Sequence, residues 1–112
     1  MKIKTLQEFA NEVLANKNNP RILADLGVEL AGKYAFLSDI FKDLQLEKAV
    51  YWGIKFQGDK PLSDIYIKTK WRLTEGGGKE IKLKYEIKAI EKLLSAIKSS
   101  IVVASNESRN LM

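Results

Sequence analysis

The sequence contains no cysteine and no histidine. The first absence excludes disulfides, thiolate metal sites and cysteine nucleophiles. The second removes the commonest general base and the commonest zinc ligand. Carboxylate, lysine, tyrosine and serine chemistry remains. No calcium-loop pattern gathers the carboxylates, so neither a metal nor a cofactor is expected, and the chain is read as non-enzymatic. Proline is scarce, with two residues, so long helices can run uninterrupted. No run of 18 apolar residues occurs, which argues against a membrane-spanning helix. Lys2 and Lys4 near the start are not followed by the apolar stretch of a signal peptide, so a cytoplasmic location is expected.

What is present is a helical pattern. Leu83, Ile87, Ile90, Leu94, Ile97, Ile101 and Ala104 follow at alternating steps of four and three. Such a seam belongs to a helix packed lengthwise on another helix, because strand faces alternate at every second residue. Ile81, Leu93, Ala96 and Val102 are expected to widen the stripe. The predicted helix covers 79–104. A second long helix is predicted over 20–56, with Asn19 as cap and Pro20 in its first turn. Its seam reads Leu23, Leu26, Leu30, Tyr34, Leu37, Phe41 and Leu44. Gly27, Gly32 and Gly53 interrupt it and could admit the close approach of another backbone.

Two shorter helices complete the expectation. Thr5 and Glu8 have the spacing of a capping box, followed by Leu6, Phe9, Ala10, Val13 and Leu14 on one face of a helix over 6–15. The segment 64–74 is ambiguous. Ile65, Ile67, Thr69, Trp71 and Leu73 alternate as in a strand, but Ser63 is a good N-cap and a lone strand would lack a partner. Helix is the reading adopted, a hairpin-like strand the alternative. Gln57 to Pro61 reads as a turn, Glu75 to Gly78 as a flexible joint, and Ser105 to Asn110 as a fraying end. The fold class that follows is mainly α. It is one helical domain over 1–112, with a long antiparallel, coiled-coil-like helical hairpin and two short helices.

The net charge of +5 is uneven, since residues 48–98 hold 12 Lys or Arg against 6 Asp or Glu. Basic excess of this kind suits an anionic partner, and also suits an ordinary solvated helix surface. Lys68, Lys70, Arg72 and Lys79 surround Trp71, with Tyr66 nearby, and basic residues interleaved with aromatics can grip a phosphate backbone and stack a base. These five, Lys68, Lys70, Trp71, Arg72 and Lys79, are the candidate nucleic-acid-binding residues, although a tryptophan in a short amphipathic helix is more often core. Gly76-Gly77-Gly78-Lys79 invites a phosphate-loop reading. However, no glycine stands where the motif needs its first, and Glu80 replaces the hydroxyl residue. Asp39, Asp43 and Glu47 form an acidic row, and Lys84, Lys88 and Lys92 a basic one, each at four-residue spacing. Phe36, Ile40, Val50, Trp52 and Ile54 lie off the main seam and are candidate interface residues. Covering them calls for a third helix or a second subunit, and a homo-oligomer is expected.

The order of signals carries a resemblance. Thr-Leu-Gln-Glu-Phe-Ala is followed by an Asn/Pro break and a Leu/Ala-rich helix. Then come Lys-Pro-Leu-Ser-Asp, a Trp with Thr-Glu-Gly, the Lys/Leu/Ile-rich segment from Glu80 and a final Asn-Glu-Ser-Arg-Asn. This order resembles small uncharacterised helical proteins of tailed bacteriophages and prophages, encoded among early replication and recombination genes. The resemblance implies a helical accessory protein made in the host cytoplasm. The basic second half adds the expectation that such a protein binds DNA or a DNA-processing protein through its basic helical surface. The alternative is a protein–protein module, such as an oligomeric adaptor or an inhibitor of a host defence complex. It implies no active site.

Overall fold

A computed structural model describes residues 4–56 and 63–110. The protein is mainly α-helical: α1 (Leu6–Ala15), α2 (Pro20–Phe56), α3 (Asp64–Arg72) and α4 (Glu75–Asn110), with no strand among the described residues. The turn expected at Gln57 to Pro61 lies outside the described residues.

Local chemistry explains each helix start. The Thr5 hydroxyl accepts from the Glu8 N–H at 3.1 Å, and Asn19 Oδ1 accepts from the Ile22 N–H at 3.3 Å. The Ser63 hydroxyl accepts from the Tyr66 N–H at 3.3 Å. Each cap satisfies a donor that the first helical turn leaves unpaired. The strand alternative for α3 is excluded, because Ile67 and Trp71, one helical turn apart, are buried while Ile65 and Leu73 are exposed. α3 stops at Arg72, two residues short of the expectation. The Leu73 and Thr74 amides turn back onto the Lys70 and Trp71 carbonyls.

The largest correction concerns α4, which begins at Glu75 and takes in the glycines read as a joint. Thr74 starts it: its hydroxyl accepts from the Gly77 N–H at 3.0 Å, and its carbonyl from the Gly78 N–H at 3.1 Å. Gly77 is required by close approach, since a Cβ there would overlap the Trp71 carbonyl oxygen and come within 2.7 Å of Arg72 Cα. At its other end α4 continues to Asn110 instead of fraying after Ala104. The glycines of α2 do not serve close approach. A Cβ on Gly27 would meet Ile97 at an ordinary 3.7 Å, and one on Gly32 or Gly53 would meet nothing within 4 Å.

The chain divides into two compact units. The first holds α1, α2 up to Ala35 and α4 from Glu86 onward. Its core is Phe9, Val13, Leu23, Leu26, Leu30, Ile90 and Ile97. Leu14, placed on the inner face of α1 by its spacing, is exposed at the edge of that face. Lys4 ties α1 to α2 through Glu12 at 3.0 Å and Glu29 at 3.6 Å. Gly27 lies against Ile97, and Tyr34 donates to Glu91 at 3.2 Å. Numbers rise along α2 as they fall along α4, so the two helices are antiparallel in this unit.

The second unit holds α2 from Phe36, α3 and α4 up to Tyr85. Its core is Leu37, Leu44, Ile67, Trp71 and Leu83. Along α4 the heptad positions are inward: Leu83, Ile90 and Ile97 are buried, and Ile87, Leu94, Ile101 and Ala104 half-buried. Ile81 and Val102, expected to widen that stripe, are exposed.

Candidate functional site

The cluster around α3 separates into an inner and an outer face. Trp71 is only 2% exposed. Its ring lies 5.4 Å from that of Tyr51, and a Cβ on Gly76 would press on its far edge at 2.8 Å. The indole Nε1 has no hydrogen-bond partner among the described residues, a burial that costs about 1–3 kcal/mol. Apolar contact therefore holds this ring in place, and it offers no face on which a base could stack. The nucleic-acid reading of Trp71 is corrected on that ground. Lys68, Lys70 and Arg72 are exposed around it. Trp71 faces the core while Lys68 and Arg72, one turn apart, lie on the exposed side, so the interleaving of these basic residues with Trp71 does not survive as one surface, and of the two aromatics only Tyr66 remains exposed. Lys70 sits 5.3 Å from the Tyr66 ring centroid, and Lys79 pairs with Glu75 at 3.5 Å on the exposed side of α4.

Glu80 is the one charged group in the core of the second unit among the described residues, a feature the sequence does not announce. It accepts from Gln45 Nε2 at 2.6 Å and from Lys48 Nζ at 3.2 Å, with Lys84 at 3.9 Å. Burial pushes its pKa up. The Gln45 and Lys48 hydrogen bonds and the Lys48 and Lys84 charges outweigh this, so the pKa lies below the ordinary glutamate value. The arrangement joins α2 to α4 and is structural. Among the described residues no group of three or more Asp or Glu is placed to hold a metal ion.

Several apolar residues off the main seam are exposed in the second unit. Phe36 (65%), Val50 (63%) and Ile54 (61%) are exposed on α2, and Ile40 is exposed beside them. Trp52 is half-buried, with Lys48 Nζ 5.5 Å from its ring centroid. Phe36, Ile40, Asp43, Glu47, Val50 and Ile54 follow at steps of four, three, four, three and four, so they form one straight line on the helix. Asp43 and Glu47 in its middle are exposed. The line ends in a hollow of about 330 Å³ with Glu47, Val50 and Ile54 on one side and Trp71 and Gly76 on another. Leu46 on α2 and Ile65 and Leu73 at α3 are also exposed. The sequence does not mark Ile65 and Leu73 as surface residues, because their alternation with Ile67 and Trp71 equally suits a strand. No helix among the described residues is long and apolar enough to cross a membrane. The chain matches no family model, no curated protein and no solved structure.

Proposed function

We propose that the chain is a non-enzymatic interaction module that assembles with further copies of itself through the apolar line of α2, as an oligomeric adaptor does. The observation that carries this reading is the exposure of Phe36, Ile40, Val50 and Ile54 on one side of one helix. Burying an aliphatic or aromatic side chain of this size gains about 1.5–3 kcal/mol. Several such residues on each of two chains supply the apolar burial that must outweigh an association cost of about 4–15 kcal/mol. Scattered apolar residues need no explanation, whereas an aligned set does. Sedimentation equilibrium tests the reading. The wild type should sediment as a multiple of 12.7 kDa, and Ile40→Glu should shift it toward the monomer.

A second reading has its own support. Lys68 and Arg72 are exposed and have no ion-pair partner among the described residues. The basic surface could therefore serve DNA, or a DNA-processing protein, without Trp71. Fluorescence anisotropy with single- and double-stranded DNA across a salt series tests this, because each phosphate contact adds to the salt slope. The resemblance to phage and prophage proteins belongs to the same proposal. It would place the module in the cytoplasm of an infected cell.

A further inference from the structure

We infer that α3 of a second copy seats on the α2 line, its Lys68 and Arg72 meeting Asp43 and Glu47. The inference rests on the reading that the α2 line is an association surface, and it names what covers it.

The middle of the line reads Ile40, Asp43, Glu47, Val50: apolar, acid, acid, apolar. Neither carboxylate has an ion-pair partner among the described residues. Two copies of this line cannot cover each other well. A parallel pairing sets Asp43 against Asp43 of its copy. An antiparallel one sets Asp43 against Glu47, and either way four carboxylates converge. Like charges brought together disfavour a pairing. The occupant that fits has basic residues at the same spacing with an apolar residue in line with them.

The outer side of α3 has that composition. Ile65, Lys68 and Arg72 follow at steps of three and four, as Ile40, Asp43 and Glu47 do, and Leu73 follows Arg72. Ile65 is 80% and Leu73 78% exposed, so nothing among the described residues of their own unit covers them. Lys68 and Arg72 point outward because Ile67 and Trp71 fix the opposite side of the helix in the core. The steps of Ile65, Lys68 and Arg72 match Ile40, Asp43 and Glu47 in one direction of pairing and Val50, Glu47 and Asp43 in the other. Ile65 then covers Ile40 or Val50, and each cation reaches a carboxylate. If each copy both lends its α3 and receives one, the contact closes as a two-fold dimer.

Charge exchange tests the pairing. Two double variants are made, Asp43→Lys with Glu47→Lys and Lys68→Glu with Arg72→Glu. All four positions are exposed, and helical circular dichroism confirms that both variants fold. Each variant alone should sediment near 12.7 kDa. The 1:1 mixture should regain the wild-type mass, because both contacts of the mixed dimer are complementary, one through the native charges and one through the exchanged ones. If both variants assemble alone while Ile40→Glu dissociates, the α3 pairing is overturned and the α2 line stands. If the folded variants stay monomeric when mixed, the pairing is overturned too. A monomeric wild type overturns the association reading and this inference together.

Discussion

A single methyl group distinguishes a packed helix start from a flexible joint at Gly76 to Gly78. In Gly77→Ala the new Cβ overlaps the Trp71 carbonyl oxygen and crowds Arg72 Cα. Both obstacles are backbone, so no rotamer change relieves them, and the end of α3 must move away from the start of α4. That movement loosens Trp71, which is 2% exposed, and Ile67 beside it. Forced overpacking of this kind costs about 1–3 kcal/mol, occasionally more. Alanine returns at most about 1 kcal/mol of helix propensity. In Gly78→Ala the Cβ meets nothing within 4 Å, so only the propensity gain of up to about 1 kcal/mol remains. Urea unfolding followed by tryptophan fluorescence should therefore move in opposite directions for the two variants. Equal stabilisation of both would mean that the two positions are alike, and that α4 does not start against Trp71.

Three further outcomes follow from the packing. Ile90 is fully buried, so Ile90→Ala should cost about 2–5 kcal/mol in denaturant unfolding, and a loss below about half a kilocalorie would place it on a surface. Gly32 and Gly53 have open space around them, so alanine at each should raise stability by up to about 1 kcal/mol; destabilisation would reveal a neighbour that the structure does not show. Glu80 has a folded pKa below its ordinary value of 4.5. Its contribution is present above that value and is lost as the pH falls through the folded pKa, because the unfolded chain takes up the proton first. The urea midpoint of the wild type should fall more on acidification from pH 5 to about pH 3 than that of Glu80→Gln, and equal falls would remove Glu80 from the account.

Much of the architecture was legible because it rests on periodicity and caps. The seam from Leu83 to Ala104 could only be helical, and Ser63 as cap together with the lack of a partner for a lone strand favoured helix for α3. What was not legible depends on contacts between segments. Glycines are weak helix formers, so Gly76 to Gly78 read as a joint until the Trp71 backbone against Gly77 gave them a reason. Trp71 among lysines satisfied two patterns at once, and only its place one turn from Ile67, on the side facing Tyr51, decided for the core. The α2 line from Phe36 to Ile54 was visible as an excess of apolar residues. The exposed partners Ile65 and Leu73 were hidden by an alternation that suits a strand.

The absence of cysteine makes the central claim directly measurable, since one introduced thiol reports one position. In Val50→Cys the thiol stands in the middle of the α2 line, and in Lys17→Cys it stands on an exposed residue of the first unit. Thiol modification by a small water-soluble reagent is followed from nanomolar to high micromolar protein. Assembly through α2 predicts that the Cys at position 50 reacts freely when dilute and becomes protected as concentration rises, while the one at position 17 stays equally reactive throughout. A Cys at position 50 whose rate is independent of concentration would contradict the account.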